Sequence, residues 1–177
     1  MKKNLVLLGM MGVGKSTLGK MVSKKLKLNF LDIDRFIEKR NLMTINEIFK
    51  TKGENFFRNE EEKITLKFLK KQKLIIALGG GAFINRKIRN EVLLNNISIW
   101  LSVHISKLSI RVSKSNKRPL LNENKKSTLK VLEKIYEKRK KIYELANHKI
   151  DCDKSSLSKI ANDIISIYEK YQNYYKN

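Results

Sequence analysis

Several things are scarce in this chain, and each scarcity closes off a class of protein. Cysteine occurs once in 177 residues, as Cys152, so no internal disulfide framework holds the fold, and a reducing cytoplasm suits it. The thiol reads as a small core residue rather than a nucleophile. The two histidines, His104 and His148, stand far apart without metal-ligand spacing and read as structural. No apolar run is long enough to span a bilayer. The opening MKKNLVLLGMMG has the lysines and apolar run of a short signal sequence. It runs into a glycine loop with no small-residue cleavage site, so it is expected to be the first buried strand. Tryptophan occurs once, Trp100, within an apolar run, and is expected in the core.

Acid is also in short supply. Seventeen acidic residues stand against 39 basic ones, a formal charge of +22. Such a balance ordinarily suggests nucleic acid, because each neutralised phosphate releases counterions. Here the lysines are spread along the chain among Asn and Ile, and no aromatic platform accompanies them. Drift on solvated faces under an AT-rich genome accounts for the charge. General attraction of anionic substrates is the alternative. No specific nucleic acid and no membrane are expected as partners.

What is present is an alternation. Short apolar runs at Asn4–Leu8, Leu28–Ile33, Leu74–Leu78, Ile97–Val103 and, more weakly, Lys149–Cys152 read as strands. Helical spacing fills Thr17–Leu26, the stretch from Phe36, Asn59–Lys71 and the C-terminal remainder. Strands that are apolar throughout and alternate with helices predict an α/β fold, a parallel sheet covered on both faces, in a single domain over residues 1–177. One stretch breaks the rhythm: Ser113–Lys126, SKSNKRPLLNENKK, is polar and holds the only proline, Pro119. It is expected to be a mobile lid that folds over a bound nucleotide.

The strongest motif follows the first strand. GMMGVGKST, from Gly9 to Thr17, fits G-x-x-x-x-G-K-[ST] in the required strand–loop–helix context. Backbone N–H groups around Gly12, Val13, Gly14 and Thr17 then face polyphosphate, at the positive end of a helix. Lys15 is expected to reach the β- and γ-phosphates, and the Ser16 hydroxyl to ligate Mg²⁺. The third strand ends in Gly79-Gly80-Gly81 where many ATPases and GTPases carry a metal-supporting acid. Pro119 occupies the aspartate place of a guanine-reading Asn-Lys-x-Asp. The missing acid is found in LDIDRFIE: Asp32 and Asp34, two apart at a strand end, are expected to point to one side. One would hold the Mg²⁺ hydration shell and the other would reach an acceptor hydroxyl. Helix capping is the competing role. Arg58, in GENFFRNEEE, offers a planar fork for a carboxylate, or else a surface pair with its own glutamates.

Together, Gly9–Thr17, Asp32-x-Asp34, Gly53-Glu54-x-x-Phe57-Arg58-x-x-Glu61, Gly79-Gly80-Gly81, Arg118-Pro119-Leu120-Leu121 and Arg139 resemble the shikimate kinase family. That resemblance implies a three-layer P-loop fold with a five-stranded parallel sheet and a lid. It also implies ATP-dependent phosphorylation of the 3-hydroxyl of shikimate, on the way to chorismate and the aromatic amino acids. By the resemblance, Asp34 binds the shikimate hydroxyls and is the candidate base, leaving Asp32 with Ser16 for the metal. Arg58, Arg139 and the Gly80–Gly81 backbone hold the carboxylate and ring. Arg118 closes from the lid onto the phosphates, and Arg111 lies near the adenine. The expected assembly is a monomer.

The chain departs from the family in two places. After Arg139 the family runs through a small residue and Pro-Leu-Tyr, where this chain has Lys140-Lys141-Ile142-Tyr143, so the local turn is open to differ. Past the fifth strand DCDKSS offers only Lys154 in place of an adenine-side arginine. A kinase of another small polyol acid such as gluconate, a nucleic-acid-binding P-loop protein and a regulatory pseudo-kinase are the alternatives.

Overall fold

A computed structural model describes residues 4–113 and 125–174. The elements are β1 (Leu5–Leu8), α1 (Lys15–Leu26), β2 (Asn29–Asp32), α2 (Ile33–Asn41), α3 (Ile45–Leu69), β3 (Leu74–Ala77), α4 (Arg86–Asn95), β4 (Ile97–Ser102), α5 (Ile105–Ser113), α6 (Lys125–Tyr143), β5 (His148–Asp151) and α7 (Leu157–Tyr174). The five strands form one parallel sheet in the order β2-β3-β1-β4-β5. Central β1 is buried at every residue, which is why its sequence is apolar without alternation.

Chain direction explains the layering. The path from β1 to β2 moves one way across the sheet, and each later crossover moves the other way. Right-handed crossovers therefore put α1 on one face and α3, α4 and α6 on the other. After β5 the chain returns, and α7 packs on α1. The strand order reverses beside β1, so a crevice opens at its C-terminal end between the loops after β1 and β3. The phosphate motif and the glycine triplet both sit there.

The core is continuous around Leu5, Leu7, Ile75, Ile97, Ile99 and Trp100. One polar node pins its far end. Fully buried Asn4 donates to the Leu69 carbonyl (3.0 Å), the Lys71 carbonyl (2.9 Å) and Asn96 Oδ1 (2.8 Å), and accepts from Leu74 N (3.0 Å). It joins β1 to the connection before β3 and to the end of α4, with both polar atoms of its side chain engaged.

Several boundaries differ from the sequence expectation. The second strand stops at Asp32 rather than Ile33, because Asp32 caps α2 by accepting from Arg35 N (3.2 Å). Asp34 therefore lies in the first turn of α2, and strand alternation is not what aligns it with Asp32. The helix expected from Asn59 begins much earlier, at Ile45, where Thr44 and Glu47 form a capping box. Gly53, at φ 81 and ψ 165, breaks α3 and re-aims its second half, which carries Arg58. Ser113 closes α5 and Lys125 opens α6, so the ends of the expected lid are helical. Residues 114–124, Arg118 among them, lie outside the described residues.

Candidate active site

The loop after β1 is anchored by its apolar members. Met10 and Val13 are core residues, and Val13 N donates to the Met10 carbonyl at 3.4 Å. Val13 thus fixes the loop's shape, while its neighbours face the cleft. Gly14 is left-handed (φ 103) and caps α1 without a side-chain hydrogen bond, and the first residues of that helix line the cleft with its positive end. Lys15 Nζ donates to the carbonyls of Gly9 (2.9 Å) and Met10 (3.0 Å), folded over the loop it will fill. The cleft encloses about 340 Å³, and Gly12, Gly14, Lys15, Ser16, Thr17, Asp32, Asp34, Gly80 and Arg111 are on its wall.

Two oxygens suited to a hard cation meet at this wall. The Ser16 hydroxyl donates to Asp32 Oδ2, so β2 and α1 deliver their metal candidates to one place. Among the described residues no cluster of three or more His, Cys, Asp or Glu forms a metal cage. Asp32 caps α2 with Oδ1 and meets the Ser16 hydroxyl with Oδ2.

The other end of the cleft is a wall of arginines against glycines. Arg58 Nη1 donates to Glu61 Oε2 (2.7 Å), and its Nη2 (3.1 Å) and Nε (3.2 Å) both donate to Glu54 Oε1. The Phe57 ring lies 5.2 Å from its guanidinium carbon. Arg139 Nη1 donates to the Gly80 carbonyl at 2.9 Å. The three glycines answer to three neighbours. A Cβ on Gly79 would collide with carboxylate oxygens of both Glu61 and Asp34. One on Gly81 would sit 2.8 Å from Arg58 Nη1, and one on Gly80 would sit 3.4 Å from Arg139 Nη1 and 3.5 Å from Met11 N. Gly79 and Gly81 are bare because charged groups approach them too closely for a side chain, whereas a Cβ on Gly80 would make only ordinary contacts.

Two residues of this wall carried no assigned role in the sequence. Glu61, whose side chain is 4% exposed, turns one oxygen to Arg58, while Oε1 has no hydrogen-bond partner among the described residues. Burial pushes its carboxyl above the usual glutamate range; Arg58 opposes the shift and Asp34 adds to it. Burial pulls Arg58 down, but Glu61 and Glu54 outweigh it and raise the guanidinium. Tyr143, at the end of α6, donates its hydroxyl to the Gly80 carbonyl. The spacing of Glu61 three residues after Arg58 is a visible helix-pair signal; nothing local announces Tyr143. The changed residues between Arg139 and Tyr143 do not divert the chain, since α6 runs unbroken to Tyr143 and keeps the two one turn apart.

Arg111 reaches the cleft from α5. Beyond β5, Lys154 is exposed. Asp153 accepts from His104 N (3.0 Å), and its carbonyl accepts from Lys107 Nζ (2.7 Å), tying the loop after β5 to the start of α5.

A phosphate loop at the switch point, a Ser–Asp pair for a cation and a basic wall beyond it define a P-loop phosphotransferase acting on a small acid. The shikimate kinase family model matches residues 11–169. A shikimate kinase of Bartonella henselae is 45% identical over 174 residues, covering 98% of this chain and 81% of that protein. The structure of a shikimate kinase from Acinetobacter baumannii in complex with shikimate superposes with a TM-score of 0.85 at 30% identity, covering 97% of this chain and 95% of that one. A gluconokinase from Sinorhizobium meliloti shares the fold alone, at TM-score 0.60 and 14% identity over 98% of this chain and 95% of its own. The chain belongs to the shikimate kinase family.

Proposed function

We infer that this protein transfers the γ-phosphoryl group of ATP to the 3-hydroxyl of shikimate, giving shikimate 3-phosphate and ADP. The observation that carries the reading is the position of Gly80. A Cβ added there would lie 3.5 Å from Met11 N of the phosphate loop and 3.4 Å from Arg139 Nη1, so a phosphate site and a carboxylate site would share one wall.

In this reading the loop N–H groups and Lys15 hold the β- and γ-phosphates and stabilise the charge that develops on transfer. Mg²⁺ bound at Ser16 and Asp32 would neutralise phosphate charge. Asp34 accepts the hydrogen bond of the 3-hydroxyl and aims its oxygen at phosphorus, so positioning supplies much of the rate. Arg58, Arg139 and the Gly80–Gly81 backbone take the carboxylate. The edge of Arg58 now facing Glu54 is the one to be exchanged, carboxylate for carboxylate. Glu54 is 60% exposed in that pair, so the exchange costs little. Arg111 lies along the adenine, and Arg118, which lies outside the described residues, is assigned to the phosphates by the family motif alone. The protein works as a monomer in the cytoplasm, and no helix of the described residues is long and apolar enough to cross a membrane.

The test is ADP release with shikimate, with gluconate and with neither acceptor. Rapid release with shikimate alone is the expected result. Equal rates with gluconate would move the assignment to another polyol acid, and release indifferent to either would leave only an ATPase.

A further inference from the structure

We propose that Tyr143 is a positioning residue for the substrate carboxylate: with Arg139 it clamps the Gly80 carbonyl and so aims the Gly81 N–H into the carboxylate site. The proposal rests on the reading, given above, that the Gly80–Gly81 backbone and the two arginines receive that carboxylate.

Gly80 has no side chain to restrict its rotation, and it sits between a charged wall and the phosphate loop. Yet both lone-pair directions of its carbonyl oxygen are engaged. Arg139 Nη1 donates to it at 2.9 Å, and the Tyr143 hydroxyl donates to it as well. The two donors are four residues apart on α6 and so lie on one helix face. In a planar trans peptide unit the carbonyl and the next residue's N–H point in opposite directions. Fixing the Gly80 carbonyl therefore fixes the Gly81 N–H.

The two donors differ in what else they can do. Arg139 is half-buried, charged and beside the carboxylate site, so it can turn from the Gly80 carbonyl to the substrate. Tyr143 cannot leave. It is 1% exposed, its ring lies 5.9 Å from that of Trp100, and its hydroxyl is 3.8 Å from the Met10 thioether inside the phosphate loop. Burial raises the phenol above its usual pKa, so it stays a donor. When Arg139 is drawn to the carboxylate, Tyr143 keeps the Gly80–Gly81 peptide turned the right way. A neutral, buried donor is suited to this, since it competes for no substrate oxygen.

The experiment is Tyr143→Phe, which keeps the ring beside Trp100 and removes only the donor. Calorimetric dissociation constants are measured for shikimate, for its carboxamide analogue and for a non-hydrolysable ATP analogue. One hydrogen bond of this kind corresponds to about a tenfold change. The expected result is shikimate binding weakened about tenfold and a smaller preference for acid over amide. The ATP-analogue constant should stay within about twofold of wild type, which also verifies the fold. A lowered melting temperature with unchanged shikimate affinity and unchanged acid preference would overturn the proposal and leave Tyr143 a packing residue. If the wild type itself binds acid and amide equally, the carboxylate reading falls, and the proposal with it. That outcome is separate from the first because it needs no variant.

Discussion

At the phosphate end of the cleft, Lys15 reaches back five and six residues to the carbonyls of Met10 and Gly9, and the loop's shape is set within nine consecutive residues. At the carboxylate end, Gly80 is held by Arg139 and Tyr143, 59 and 63 positions further along, while Arg58 and Glu61 come from a third segment. The first site is backbone and local, and the second is side chain and long-range. A local site is written in a contiguous motif and serves any nucleotide. An assembled one depends on the sheet bringing α3, the glycine triplet and α6 together.

Breaking the phosphate end should have the largest effect. Lys15→Met is expected to lower kcat by about 10²–10³-fold or more, because one charged donor to the transferring group is removed. The melting temperature should hold, since Lys15 lines the cleft rather than the core. Steady-state kinetics with thermal melts will check both halves.

Gly79→Ala attacks the assembled end. The added methyl meets Glu61 and Asp34 together, so the two carboxylates must separate. A loss of about 1–3 kcal/mol of stability is expected from the overpacking, with a rise in shikimate KM and a fall in kcat. Urea melts and kinetics read these separately. A methyl at Gly14 meets nothing within 4 Å, so Gly14→Ala should cost backbone strain without moving a neighbouring side chain.

The pH dependence of stability sharpens the contrast. Burial raises Glu61 above its ordinary value of 4.5, so the folded state holds this proton more tightly than the unfolded one. Its contribution is complete below about 4.5 and is lost as pH rises through the folded-state value. Melting temperature should therefore decline over that rise in wild type, and Glu61→Gln should flatten the decline. The smallest effect is expected at Glu54. Glu54→Gln removes a competitor for Arg58 and should lower shikimate KM by no more than about fivefold, the range of an exposed ion pair.

How far the sequence could be read follows the same division. The glycine loop, five strands and parallel sheet were legible, because apolar runs and a contiguous motif depend on near neighbours. Asp32 and Asp34 were placed in the right cleft by the wrong geometry. Alternation along a strand was assumed, whereas Asp32 ends the strand by capping a helix. The first half of α3 escaped notice even though Thr44 and Glu47 mark its start, since Gly53 divides the apolar pattern. Three consecutive glycines stand out in the sequence, but that each has a different neighbour does not. The Tyr143 contact could not be read at all, because its acceptor is a backbone oxygen that only the folded sheet brings within reach.

The central claim is that Arg58 and Arg139 read a carboxylate, and one comparison tests it most directly. The ratio of kcat/KM for shikimate to that for its carboxamide is measured on wild type and on Arg58→Lys. A planar, bidentate, charge-assisted contact is lost with lysine, at roughly 1.5–3 kcal/mol. The account predicts a strong wild-type preference for the acid that shrinks about tenfold or more in the variant, with the KM for ATP little changed. Equal turnover of acid and amide by the wild-type enzyme would contradict it.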